Sequence, residues 1–208
     1  MGNSGRRGRV QYLGRHIMIK GVYADKLLEG TKTTTIRLGI VKPRYREVII
    51  HGHGRPLAKA EIVDVQVKKV AELTLSDARR DGFNRVEDLI KSLEKMYGQG
   101  LEPDTPVTII HLRVKQRFDE LDLRDPYLGL EPADIARLGL RYLGDSLDED
   151  ERRVLEDLTR TNSIRSTAVR LFGSVERRGK VRRVLRRVLR ELVRRGLIRG
   201  GRVERGGH

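Results

Sequence analysis

The chain has 208 residues, enough for one large domain or two small ones. Its 44 Lys and Arg residues exceed its 29 Asp and Glu residues, so the net charge is +15 and we expect a polyanionic partner. The absence of cysteine excludes disulfides, thiolate metal sites and thiol catalysis. No apolar run suits a membrane span and the first residues lack a signal-peptide core, so we expect a cytoplasmic protein without membrane contacts.

The first half of the chain has the pattern of a small mixed β-structure. Residues 1–9 predict a disordered basic tail, and residues 10–118 predict a barrel-like domain with inserted helices. Within residues 57–70, Val63, Val65 and Val67 alternate with polar residues, which predicts one long half-buried strand. Further strands are predicted at 12–20, 44–50 and 107–114, and helices at 22–29, 75–81 and 86–96.

The second half predicts helices only, after a linker at 119–130 that has no periodicity. The helical domain spans 131–203 and precedes a short tail, 204–208. The first of its helices is predicted to begin near Pro132, and three more are predicted at 148–158, 163–172 and 181–195. The acidic run that opens the second suits a helix N-terminus. The end of the last predicted helix and the residues after it, 192–198, resemble winged-helix domains, although the few residues that follow could form only a very short β-wing. The predicted fold class is therefore α+β, a mixed barrel followed by an all-helical domain.

Residues 30–37, Gly-Thr-Lys-Thr-Thr-Thr-Ile-Arg, concentrate hydroxyls and cations without a carboxylate. In an extended chain Thr33, Thr35 and Arg37 share one face, and Lys32 joins them only if the segment begins as a turn. Such a set suits phosphate or a polarised carbonyl group. The alternative is an edge strand with a solvated polar face.

The order Gly30-x-Lys32-x-x-Thr35-x-Arg37 after a short helix resembles the ASCH family, whose members are small β-barrels related to the PUA RNA-binding fold. The resemblance continues through residues 56–62, 77–83 and 107–114, and so covers about residues 16–116. It implies a PUA-like barrel that contacts RNA. Lys32, Thr33, Thr35 and Arg37 are the candidate contacts.

Some ASCH proteins that this chain resembles in the Lys-x-x-Thr pair are acetylcytidine amidohydrolases. The resemblance implies a nucleophilic Thr35, an activating Lys32 and an assisting Asp81. One departure is that Asp81 stands where those enzymes have a glutamate. The alternative makes Asp81 a helix-end residue paired with Arg79 or Arg80. No cofactor is predicted, and His51-Gly52-His53 lacks a third ligand for a metal.

The charge is concentrated at the end of the chain. Residues 175–208 carry thirteen cations and three carboxylates, a local net charge of +10. This predicts contacts with RNA phosphates, with DNA binding by a winged-helix regulator as an alternative. It is also compatible with a solvated face that the acidic second helix neutralises. The candidate contacts are Arg182, Arg183, Arg186, Arg187, Arg190 and Arg194. The predicted function is RNA binding in RNA metabolism or translation-linked regulation, with the amidohydrolase as the second alternative.

Overall fold

The computed structural model describes residues 10–98 and 101–200, and the chain divides into two units, Met1–Arg117 and Phe118–His208. The two predicted tails, 1–9 and 204–208, lie outside the described residues. No helix within the described ranges is long and apolar enough to cross a membrane.

The first unit is built on a curled five-stranded half-barrel. The strands of this unit are β1 Gln11–Leu13, β2 His16–Met18, β3 Thr34–Leu38, β4 Val41–Pro43, β5 Glu47–Gly52, β6 Arg55–Lys69 and β7 Pro106–Arg117. In the half-barrel they follow the order β2-β5-β6-β7-β3, and β2 and β5 are its parallel pair. A separate parallel ribbon joins β1 to β4. The predicted strand at 12–20 is thus two short strands.

The long strand β6 is buried only in its first half. The β7 register shifts between Ile62 and Asp64, which leaves Val63 in a bulge, and the pairing with β5 ends at Glu61. Val63, in the bulge, is 48% exposed, and Val67 is 52% exposed, while Val65 packs against the core. The predicted long strand is present, but its valines do not form one buried face. The bulge takes Val63 out of the alternation, and Val67 lies in the part of β6 that no longer pairs with β5.

Among the described residues of the first unit there are also three α-helices: α1 Ala24–Leu28, α2 Leu75–Arg80 and α3 Val86–Tyr97. Gly30 follows α1 with a φ of +79°, the left-handed conformation expected of a residue that ends a helix. The hydroxyl of Thr74 accepts the backbone N–H of Asp77 and starts α2. Leu89 and Leu93 of α3 pack into the core.

The described part of the second unit contains four α-helices: α4 Pro132–Tyr142, α5 Glu149–Thr161, α6 Ile164–Phe172 and α7 Arg178–Arg194. The Asp148 carboxylate accepts the backbone N–H of Glu151 at 2.8 Å, so the acidic run does begin a helix. The predicted apolar stripe of α7 is largely buried, with Leu185, Val188 and Leu192 at 0% exposure.

The segment predicted as a linker contributes to the second unit. Leu121 and Leu130 are buried, and the backbone N–H of Leu121 donates to the carbonyl of Arg199. A single parallel bridge joins Leu121 to Gly200. The observed architecture is therefore a mixed α+β sheet unit followed by a helical unit, as the sequence predicts.

Candidate functional site

The chain between α1 and β3 is held in a defined loop by backbone hydrogen bonds. The N–H of Lys32 donates to the carbonyl of Lys26, and the N–H of Thr33 donates to the carbonyl of Arg80. The carbonyl of Thr33 accepts the N–H of Leu112 on β7. Because β3 begins at Thr34, Lys32 lies in the preceding turn, which is the condition under which it joins the face of the strand.

Lys32 and Asp81 form a buried ion pair at the centre of the site. The Lys32 Nζ lies 2.7 Å from Asp81 Oδ1 and also donates to the Asp81 carbonyl at 2.8 Å. Their side chains are only 4% and 10% exposed. Asp81 follows the last residue of α2, but its carboxylate contacts Lys32, so the alternative pairing with Arg79 or Arg80 is wrong.

Burial and ion pairing shift the pKa values of Lys32 and Asp81 in opposite directions. Burial lowers the pKa of the Lys32 ammonium, and the neighbouring Asp81 carboxylate opposes that change. Burial likewise raises the pKa of Asp81, against the attraction of Lys32. Both groups are displaced toward their neutral forms, so a larger fraction of Lys32 is the neutral amine than for an exposed lysine.

The threonines of the stretch have different surroundings. The hydroxyl of Thr34 points at Asp81 Oδ1 over a long 3.4 Å contact, whereas Thr35 lines the pocket described below. Thr33 is half-buried and does not line that pocket. Arg37 lines it and donates to the carbonyl of Met18 at 2.7 Å, and its Nε is buried without a partner among the described residues.

These side chains surround a pocket of about 290 Å³, near the lower limit of ligand pockets in general. Its lining includes three cations, Lys20, Lys32 and Arg37, and among the described residues Asp81 is its only carboxylate. Apolar side chains also line it, several of them from α3. They include Phe83, Leu89, Leu93 and Met96. The pocket therefore suits a small ligand with an apolar ring and an anionic or carbonyl group.

Several pocket residues were not predicted from the sequence. The ring centroid of Tyr23 lies 5.2 Å from that of Phe83 and 5.3 Å from Lys32 Nζ. The Tyr23 side chain also forms a hydrogen bond with the side chain of Ser92. Burial raises the pKa of its phenol. Phe83 lies within the stretch that resembles the ASCH family, but nothing local distinguishes it from a core residue. Met96, which shares the apolar stripe of α3, is 43% exposed at the pocket.

A family model described as the ASCH domain matches residues 11–115, about half of the chain. The chain belongs to the ASCH domain family. The match spans the loop, Asp81 and the pocket wall, and thus the whole candidate site. No curated protein matches the chain.

Three solved structures are similar to the ASCH domain of this chain. They are a protein from Enterococcus faecalis (16% identity, TM-score 0.39, covering 47% of this chain and 69% of that one), the ASCH domain from Lactobacillus crispatus (16%, 0.39, 50% and 79%) and a point mutant of an ASCH protein from Zymomonas mobilis (17%, 0.40, 54% and 78%).

Outside the ASCH domain, the polar face of α7 is only partly neutralised. Arg187 pairs with Glu151 of α5 at 2.7 Å, and Glu191 accepts from both Arg194 and Arg195. Hydrogen bonds from these two arginines hold the pKa of Glu191 down at about 2. Four of the six predicted arginine contacts are exposed and have no ion-pair partner within the described residues: Arg182, Arg183, Arg186 and Arg190.

Proposed function

We propose that this protein binds RNA, with the ASCH pocket accepting a base or nucleotide and the arginine face of α7 contacting phosphates. The arginine face carries the proposal. Arg182, Arg186 and Arg190 follow each other at four-residue steps, so each lies about 6 Å along the helix axis from the next. A row of guanidinium groups without carboxylates neutralises successive phosphates rather than other parts of the fold. The relation of ASCH domains to the PUA fold supports RNA as the polyanion.

The pocket supports the same proposal from the other unit. Its lining combines cations, Lys20, Lys32 and Arg37, with apolar side chains, and an unpaired base attached to a phosphate offers both a ring and a negative charge. Residues of single-stranded loops and bulges can enter such a pocket, whereas bases within a duplex cannot.

The test compares two double variants that remove the same charge. Arg186→Gln with Arg190→Gln removes unpaired arginines, and Arg194→Gln with Arg195→Gln removes arginines that are paired with Glu191. We expect the first to weaken binding of a structured RNA more than the second. It should also lower the slope of log affinity against log salt by about 1.4 to 1.8, since each phosphate contact contributes about 0.7 to 0.9.

Filter binding of a stem-loop RNA between about 50 and 200 mM salt measures both quantities. Equal losses in the two variants would contradict the role of the arginine face. Tighter binding of duplex DNA than of RNA would favour the winged-helix regulator instead.

A second candidate function is amide hydrolysis at the pocket, because Lys32, Thr35 and Asp81 all line it. In this scheme the Thr35 hydroxyl attacks the carbonyl carbon and its proton passes to a neutral Lys32 amine. The C–N bond then breaks as the leaving amine takes that proton from Lys32, which leaves an acyl ester on Thr35. Water attacks this ester, its proton passes through Lys32 to the Thr35 oxygen, and the carboxylic acid is released. The lowered pKa of Lys32 favours that neutral amine.

Acetate release from acetylcytidine tests this candidate. Thr35→Val, which keeps the shape of the side chain and removes the hydroxyl, is expected to lower the rate about a thousandfold or more, and Thr35→Ser should retain part of it. Circular dichroism of both variants controls for folding. Equal rates for wild type and Thr35→Val would exclude the scheme.

A further inference from the structure

Two aromatic side chains are exposed in the part of the chain that the structure describes, and both lie in or beside the β1–β4 ribbon. Tyr12, in β1, is 61% exposed, and Tyr45, two residues after β4, is 40% exposed. The whole sequence has only six tyrosines, three phenylalanines and no tryptophan. Although the protein has few aromatic residues, both of these exposed rings belong to the region of the β1–β4 ribbon, and neither lines the pocket.

An arginine side chain forms a cation–π contact with each of these rings. The Arg44 guanidinium carbon lies 4.8 Å from the centroid of Tyr12, and that of Arg15 lies 3.9 Å from the centroid of Tyr45. These contacts restrict the rotamers of the rings before any ligand binds. Aromatic rings and guanidinium planes are the two surfaces on which proteins stack unpaired bases.

The charges around Tyr12 have one sign. Residues 10–20 and 39–46 contain no Asp or Glu. Lys42 pairs with Tyr12 in the ribbon register and, like Arg44, is exposed. Arg46 contributes less, because it pairs with Glu61 at 2.7 Å. Leu13, the next residue of β1, packs against the core, so Tyr12 lies on the opposite, outward side of the strand.

We propose that the outward face of the β1–β4 ribbon is a second nucleic-acid site, which binds single-stranded RNA by stacking a base on Tyr12. Lys42 and Arg44 neutralise the adjoining phosphates, and the Tyr45–Arg15 pair offers a further ring beyond the end of the ribbon. This inference rests on the proposed RNA binding, but it depends on neither the pocket nor α7. It adds a surface for stacking unpaired bases that is separate from the pocket and from the arginine face of α7, which is proposed to contact only phosphates.

The test uses the 208-residue chain and two fluorescein-labelled probes, a twelve-nucleotide oligoadenylate and a blunt RNA duplex, with binding measured by fluorescence polarisation. Tyr12→Ala is expected to weaken oligoadenylate binding by about fivefold or more, since one base stack is lost. Tyr12→Phe, which keeps the ring, should bind like wild type, and duplex binding should be unchanged in both. Val67→Ala truncates another exposed strand residue and serves as the matched control.

A second readout does not depend on the alanine variant remaining folded. Because the chain has no tryptophan, Tyr12→Trp introduces a single indole, and oligoadenylate is expected to quench its fluorescence whereas the duplex is not. If wild type binds RNA but Tyr12→Ala keeps full affinity for oligoadenylate and the indole is not quenched, this inference is overturned and the proposed function stands. If wild type binds neither probe, the proposed function itself is overturned.

Discussion

At the scale of single residues, the site depends on one buried ion pair. The Lys32 ammonium uses two hydrogen bonds to Asp81, one to the carboxylate and one to the backbone carbonyl. Such a pair compensates its own desolvation only while both partners are present. Although Asp81 is one methylene shorter than the glutamate of the family's hydrolases, it still contacts Lys32 at 2.7 Å. The turn at Thr33, held by the Arg80 carbonyl, brings the two chain segments close enough for this contact.

Removing one partner of this pair should therefore cost more than removing both. Lys32→Met leaves the Asp81 carboxylate buried without its cation, and we expect a loss of about 3–5 kcal/mol in the free energy of unfolding. Adding Asp81→Leu should recover a large part of that loss, because no isolated charge remains. Urea unfolding of the wild type and the single and double variants measures the difference. Additive losses would show that the two side chains are not coupled.

At the scale of elements, α7 has two faces with different tasks. Its apolar stripe is buried against the other helices, and its polar face carries the arginines.

The close approach of α4 to α7 and α5 depends on Gly139. A Cβ at that position would lie 2.7 Å from Val188 Cγ1 and 3.2 Å from Leu155 Cδ1. The valine cannot move away easily because its β-branched side chain is stiff.

Substitution of two glycines should have effects of opposite sign. Gly139→Ala is expected to destabilise the second unit, since overpacking costs about 1–3 kcal/mol and exceeds the gain in helix propensity of about 1 kcal/mol. Gly179→Ala in α7 should instead stabilise by about 0.5–1 kcal/mol, because its Cβ meets no atom within 4 Å. Thermal and urea unfolding of both variants measure these changes. Stabilisation by Gly139→Ala would mean that α4 and α7 pack more loosely than the structure shows.

At the scale of the whole molecule, the excess of positive charge is spread unevenly. Two thirds of the net +15 lies in residues 175–208. The alternative, in which the acidic second helix neutralises this face, applies to Arg187, which pairs with Glu151 of α5, whereas Arg194 and Arg195 pair with Glu191 of α7 itself. Exposed ion pairs of this kind contribute little stability, so they do not explain why so many arginines are present. Each unit carries its own cationic surface, which is why the proposed RNA contacts can be tested separately.

The sequence by itself determined what depends on neighbours along the chain. Short-range rules predict the helix end at Gly30, the start of α5 at Asp148 and the buried stripe of α7. The order and spacing of short motifs along the first half of the chain indicated the ASCH family. Only the tertiary structure decided which distant groups meet. The partner of Asp81 is 49 positions away, and the pocket draws its walls from segments far apart in the chain. The bulge at Val63 depends on β7, and the unpaired state of four arginines depends on where Glu151 and Glu191 lie. Local periodicity carries no information on such contacts, because they are set by strand register and helix packing.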